Sequence, residues 1–293
     1  MISNELKEAL EKLLAEKFSQ AIFIQNIKPV SGGCINETIK LETNHKTFFL
    51  KINSAKTFPG MFEAEAKGLK LLAATNTIKI PDVIHHGEHN GFSFLLLEWI
   101  EPGKREKDFF EDFGKKLAAL HKHTNNYFGL DHDNYIGSLP QSNKQYENGI
   151  DFFIEQRLIK QIEIAKDKNE IDSSTIKQFN NLFKKLPEII PPDKPSLLHG
   201  DLWSGNYMTD NNGSACLIDP AVYYGFREAD LAMTKLFGGF DSEFYEAYNE
   251  EFPLQKNWQQ RLDIFNLYPL MVHVNLFGGG YLSQVKNILK SFK

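Results

Sequence analysis

The chain has 293 residues, 42% of them apolar and 24% charged, with a formal net charge of −5. That length supports one large domain or two lobes with sizeable cores, and the absence of a basic stripe argues against nucleic-acid binding. Two cysteines, Cys34 and Cys216, cannot build a disulfide framework and fit a reducing, cytoplasmic compartment. The first residues run into a charged amphipathic pattern rather than a signal peptide, and no apolar run is long enough to span a bilayer, so a soluble protein with no membrane partner is expected.

Ser3 or Asn4 begins a helix reaching about residue 18, with Leu6, Leu10, Leu13 and Leu14 as its apolar face. Three strands follow, over 21–30, 35–42 and 46–53. Ser31-Gly32-Gly33-Cys34 and Thr43-Asn44-His45 join them as turns. A helix is predicted over 61–74. Strands over 83–87 and 92–100 meet at the hairpin turn Asn90-Gly91. Glu101-Pro102-Gly103 breaks this pattern, and the period then changes to helical over 109–123, 150–166 and 175–190. Pro191-Pro192-Asp193-Lys194-Pro195 closes the helical block. A short hairpin over 207–209 and 215–219 turns at residues 210–213, and helices dominate the remainder, one of them ending at Gly278-Gly279-Gly280. The expectation is an α+β protein of two lobes: residues 1–101 as a small antiparallel-sheet lobe and residues 102–293 as a larger, mainly helical one, with a ligand cleft between them.

The densest chemistry lies in His199-Gly200-Asp201-Leu202-Trp203-Ser204-Gly205-Asn206, followed by Asp219-Pro220. Phosphoryl transfer needs a carboxylate to orient and deprotonate a hydroxyl, and hard oxygen ligands for Mg2+. Asp201 has the first role, and Asn206 and Asp219 the second. His-Gly-Asp alone would be an ordinary Asn-Gly-rich turn; the three oxygen-bearing side chains together point to function. Lys51 ends the apolar run Phe48-Phe49-Leu50 and shares a strand face with Phe49, so it points inward and needs a partner. Glu65 on the next helix is that partner, with Glu63 the weaker candidate, and the pair would grip ATP phosphates. Gly32 and Gly33, ahead of Lys51, allow close backbone approach to phosphate, though no Walker A lysine follows. Cys34 in that turn is either a small packed side chain or an exposed thiol able to pair between chains.

His121 at a helix end has a structural role, and Asp230 anchors the catalytic loop through backbone N–H groups. Arg227 is either an ion-pair partner or a substrate contact. Trp203, Tyr223 and Tyr224 either stack on a sugar or nucleotide or pack the core. A metal hydrolase using His199, His121, Asp201 and Asp219 would leave Lys51 and Glu65 without a purpose and lacks a closely spaced His pair. A non-catalytic pseudokinase would normally have lost the base or a metal ligand.

These residues resemble the fructosamine kinase (ketosamine-3-kinase) family within the wider aminoglycoside phosphotransferase-like group. The resemblance runs from about Pro29 to Tyr281. Its most specific parts are Leu198 through Asn206 and Ile218-Asp219-Pro220-Ala221-Val222-Tyr223-Tyr224-Gly225. Arg227-Glu228-Ala229-Asp230-Leu231-Ala232-Met233 and Leu236-Phe237-Gly238-Gly239-Phe240 extend it. Trp203 and the Asp-Pro-Ala-Val-Tyr-Tyr-Gly run favour this family over aminoglycoside or choline kinases. Phe226 departs from it, where many relatives carry His. The resemblance implies a protein-kinase-like fold, ATP and Mg2+ as cofactors, and phosphorylation of a sugar hydroxyl on ketosamines, including glycated protein lysines. The phosphorylated product is unstable, which serves deglycation. The adenine of ATP is expected near Glu98, Trp99 and Ile100, and the resemblance also implies a monomer or a homodimer made redox-sensitive by Cys34. Bacterial-type members often prefer ribulosamines or erythrulosamines.

Overall fold

The computed structural model of the chain describes residues 2–30, 35–238 and 240–292. They fall into two compact units: Met1–Lys70 with Pro81–Glu101, and Leu71–Ile80 with Pro102–Lys293. The segment Leu71–Ile80 thus clusters with the helical unit, where Lys79 forms a parallel bridge with Cys216 and its carbonyl accepts Leu217 N at 3.0 Å.

In the first unit, α1 (Asn4–Phe18) starts at Ser3, whose hydroxyl accepts Leu6 N at 3.2 Å. Strands β1 (Ile24–Pro29), β2 (Glu37–Thr43) and β3 (Thr47–Ser54) precede α2 (Met61–Ala73), and β4 (Val83–His89) and β5 (Phe92–Glu98) follow it. The sheet is antiparallel with order β1-β2-β3-β5-β4. Alternation along β3 sends Phe48, Leu50 and Ile52 into a core shared with Leu6, Leu10 and Leu14 of α1. Phe49, Lys51 and Asn53 take the opposite face, and Lys51 and Asn53 are buried there too. The β4–β5 turn has positive φ at both Asn90 (48°) and Gly91 (81°), the combination that matches the twist of a tight hairpin. Strand β5 stops at Glu98, two residues short of the predicted end.

The second unit begins with α3 (Phe109–His121), which packs on a later helix so closely that a Cβ at Gly114 would lie 2.2 Å from the Phe244 carbonyl oxygen. The strands β6 (Asn134–Ile136) and β7 (Leu139–Gln141) form a small hairpin that no sequence period announces. The helix predicted over 150–166 is three pieces: α4 (Gly149–Phe152), a π-helical turn (Phe153–Ile159) and α5 (Lys160–Asp167). The wide turn carries Arg157, fully buried, which donates to Ser142 O at 2.6 Å and Asn143 Oδ1 at 2.7 Å. After α6 (Ser173–Ile189) come β8 (Ser196–Leu198), β9 (Tyr207–Thr209), β10 (Ala215–Leu217) and β11 (Tyr223–Gly225). Four helices complete the unit: α7 (Glu228–Leu236), α8 (Ser242–Glu251), α9 (Leu262–Phe277) and α10 (Tyr281–Lys290). Helix α9 is buried almost all round despite Pro269 in its interior, as expected of a helix apolar on every side.

Candidate active site

Residues singled out from the sequence fall into one group in each unit. In the first, Lys51 Nζ lies 2.7 Å from Glu65 Oε1, with the two side chains 4% and 11% exposed. The pair forms because β3 is covered on both faces, so an ammonium on the face away from α1 must find an acid on α2. Glu98 closes β5, exchanging main-chain and side-chain bonds with Asp82. Trp99 is half-buried, donates to Glu101 Oε2 at 2.7 Å and carries Lys40 Nζ 4.5 Å above its ring, while Ile100 is buried. Gly32, Gly33 and Cys34 lie outside the described residues.

In the second unit the site is made by nested hairpins. Strands β9 and β10 pair as the inner hairpin, and β8 and β11 pair around them. Both ladders run on into the loops. Ile218 N donates to Asn206 O at 3.0 Å, and Ala221 N to His199 O at 2.9 Å. Nesting therefore brings residues 199–206 and 218–222 side by side, although the hairpin between them separates them in sequence. Two backbone conformations complete the turn. Gly200 has φ 83°, and a Cβ there would lie 2.0 Å from Ala221 O, so only glycine fits. Asp219 also sits in the left-handed region, at φ 53°, an uncommon state that Asp tolerates better than most residues.

Within the loops, Asn206 Nδ2 donates to both the main-chain oxygen and Oδ2 of Asp201, each at 2.8 Å. Asp230, at the start of α7, accepts His199 N at 2.7 Å and Gly200 N at 2.9 Å, which is the anchoring role read from the sequence. His121 is fully buried, with Nε2 3.2 Å from Asp230 Oδ2 and Nδ1 2.8 Å from the Tyr248 hydroxyl, so its role is structural. His199 is also buried; its Nε2–H donates to Ile218 O at 2.9 Å, and its Nδ1 accepts Asp201 N at 3.3 Å. With both imidazoles committed, neither is a metal ligand, and no cluster of three His, Cys, Asp or Glu suited to a metal occurs among the described residues.

The charges follow from burial. Burial pushes the His199 pKa down, against the pull of Asp230, so the ring is neutral at pH 7 and its tautomer is set by Ile218 O. Burial works to raise Asp230, but the bond from His121, with the Gly200 N–H adding to it, outweighs burial and holds the carboxyl below its usual range. Burial raises Asp201 well above the usual carboxylate range, Asn206 opposes this, and the like charges of Asp219 and Asp230 add to it.

These residues fit a divalent cation on one further observation. Asn206 commits its amide hydrogens to Asp201, which turns Oδ1 away as a hard-oxygen donor. The main-chain bond from Ile218 N to Asn206 O brings residue 206 alongside the strand end that leads to Asp219. One carboxylate and one amide oxygen suit Mg2+, which keeps water and phosphate oxygens for its remaining positions.

Three residues named for substrate contact have different fates. Trp203 is 36% exposed, its ring folded over Gly205, where a Cβ would lie 2.3 Å from it. Tyr223 is buried, with the Arg157 guanidinium 3.9 Å from its ring centroid; it packs the core. Arg227 is buried and donates to Phe252 O at 2.7 Å and Pro253 O at 2.6 Å, with Asp193 at 3.4 Å. Of the two roles left open for it, the structure shows the ion-pair partner. Phe226, the departure from the family pattern, packs on Phe128 and Phe265.

The sequence reading missed a buried amide layer beneath the Asp219 loop. Asn134 Nδ2 donates to Val222 O at 2.8 Å, and Gln141 Nε2 to Ala221 O at 3.1 Å. The Tyr268 hydroxyl donates to Gln141 Oε1 at 2.6 Å. Its one sequence signal is polar residues at alternating positions in strands of three residues, too short to read.

A two-lobed α+β fold with an antiparallel sheet in one lobe, helices in the other and these residue sets is that of a kinase-type phosphotransferase. The chain belongs to the fructosamine kinase family, whose model matches residues 6–293. It is 43% identical over 266 residues to a protein named probable ketoamine kinase from Enterococcus faecium, covering 90% of this chain and 94% of that one. It is 38% identical to the chloroplastic protein-ribulosamine 3-kinase of Arabidopsis thaliana, over 93% of this chain and 84% of the relative. Among solved structures, a provisionally named fructosamine-3-kinase from Haemophilus somnus matches with a TM-score of 0.87 at 34% identity, covering 97% of this chain and 96% of that one. No helix among the described residues is long and apolar enough to cross a membrane.

Proposed function

We propose that the chain transfers the γ-phosphoryl group of ATP to a sugar hydroxyl of a ketosamine, either a small adduct or one carried on a protein lysine, in the cytoplasm. The observation that carries this reading is the pair of hydrogen bonds Asn206 Nδ2 donates to the main-chain oxygen and Oδ2 of Asp201, which orients the carboxylate and leaves Asp201 Oδ1 for the acceptor hydroxyl. Asp201 orients that hydroxyl and takes its proton. The raised proton affinity of its buried carboxyl makes it a better acceptor. Asn206 Oδ1 and Asp219 would hold Mg2+, which when bound neutralises charge on the transferring phosphoryl oxygens. Lys51, oriented by Glu65, supplies the ammonium for the α- and β-phosphates, a task the sequence also assigns to Gly32 and Gly33. Main-chain groups of Glu98, Trp99 and Ile100, where the chain leaves β5, receive the adenine.

The test is ADP release with ribulosamine, erythrulosamine and fructosamine as acceptors. Ribulosamine heads the panel because the Arabidopsis relative bears that name. The expected result is Mg2+-dependent turnover of at least one adduct, abolished in Asp201→Asn. An unaltered kcat in that variant would remove Asp201 as the base.

A further inference from the structure

Many aromatic rings of the second unit are buried, Phe113 and Phe244 completely. One cluster instead opens at the surface. Trp203 of the catalytic loop meets Phe237 at 6.2 Å between centroids, and Phe237 meets His273 at 4.7 Å. His273 in turn lies 5.5 Å from Phe277 and 4.9 Å from Tyr281. Phe277 is 59% exposed, on the last turn of α9. The glycines beside it add a second observation. Gly278 and Gly279 have φ of 63° and 67°, so backbone conformation explains them. Gly280 does not share that excuse: its φ is −67°, which any residue adopts, and a Cβ there would meet nothing within 4 Å. A side chain at Gly279 or Gly280 would likewise stand in open space beside Tyr281. Glu170 borders it, its Oε2 3.9 Å from where a Gly278 Cβ would stand.

We infer that this cluster is the subsite for the amine-bearing arm of the ketosamine, an inference that rests on the phosphotransferase reading above. Trp203 stands two residues after Asp201, so a substrate with its hydroxyl at Asp201 can run its other end along these rings. That end is a secondary amine, protonated at neutral pH, that carries an alkyl chain. Ring faces attract the cation and bury the chain, and the Glu170 carboxylate matches the charge. His273 donates through Nδ1 to Pro269 O at 2.7 Å, and burial, outweighing that bond, holds its pKa below the ordinary value, so the ring does not repel the ammonium at pH 7.

The test compares kcat/KM for two adducts of the same ribulose, one of ammonia and one of butylamine, the latter a mimic of the lysine stem. The unaltered chain should prefer the butylamine adduct. Phe277→Ala should cut that preference about fivefold to tenfold, mainly through KM, and Phe277→Leu should restore part of it. Phe23→Ala, which removes a ring of similar exposure from the first unit, should leave the ratio in place. If both adducts turn over and Phe277→Ala and Tyr281→Ala leave the ratio unchanged, the subsite is wrong and the reaction stands. If the unaltered chain turns over neither adduct, the reaction and the subsite fall together.

Discussion

The two units hold their chemical groups by opposite means. Lys51 makes a direct ion pair with Glu65, a residue 14 positions away on the next helix. Asp201 is held by an amide five positions away, on a loop tied by Asp230 from 30 and 31 positions away, itself fixed by His121 a further 109 away. The difference tracks the task. An ammonium that grips a flexible phosphate chain tolerates small displacements, because a point charge has no preferred direction. A base must meet one proton at hydrogen-bond distance, so its loop is fixed from several sides. Damage in the first unit should therefore appear in nucleotide affinity, and damage in the second in kcat.

The largest expected effect is that of Asp201→Asn. It keeps the shape of the loop and removes the proton acceptor, so kcat should fall by about a thousandfold, within the range for loss of a general base. ATP affinity, measured by calorimetry, should stay near that of the unaltered chain; a large loss there would break the contrast between the units. Asp230→Ala comes next. It orphans two buried N–H groups and His121, and should cost about 3 kcal/mol in denaturant unfolding, the scale for breaking a buried charged network from one side. Because the loop loses its anchor, kcat should fall with ATP affinity little changed.

Much of this contrast was legible before any coordinates. Period two along β3 places Lys51 opposite the α1 face, and the acid on the following helix completes the pair. Asp230 follows Asp219 closely enough to be recognised as an anchor, and Asn90-Gly91 announces its turn. What escaped has a common physical cause. Strands β6, β8 and β11 are three residues long, too short to show a period, and β8 and β11 pair across the whole inner hairpin. Gln141 reaches Ala221 across 80 positions and Tyr268 across 127. The π-helical turn that buries Arg157 obeys neither a helical nor a strand period. Local pattern finds groups that a strand or a turn positions, and misses those positioned by tertiary contact alone.

A double substitution sharpens the first half of the contrast. Lys51→Met leaves Glu65 buried without its cation and should lower both stability and kcat/KM for ATP, the latter roughly tenfold to a hundredfold. Adding Glu65→Leu removes the orphaned acid. Stability should return while ATP kinetics stay impaired; recovery of both would make the pair structural only.

Acid probes the second half. The folded-state pKa of His199 lies below its ordinary 6.5, so the unfolded chain binds the proton more readily. Stability should be constant above that pH and decline as pH falls below it, because a proton on Nδ1 would face the Asp201 N–H it now accepts. His85, His86 and His273 are shifted the same way and contribute to the slope. The difference between the unaltered chain and His199→Gln, followed by urea unfolding from pH 7 to pH 5, isolates this residue. A variant slope equal to the parent's would mean that His199 does not titrate on unfolding.

The smallest effect tests whether the first unit can soften without disturbing its lysine. Ser3→Ala removes the hydroxyl that caps α1 and should cost about 1 kcal/mol. The loss should appear as faster hydrogen exchange over residues 4–18. Helix α1 packs through Leu6, Leu10 and Leu14 on the face of β3 opposite Lys51, so the ion pair with Glu65 does not depend on the first helical turn. KM for ATP should stay at the parental value. A rise in KM with the same loss of protection would show that the two faces of the sheet are coupled, and that the position of the ammonium depends on α1.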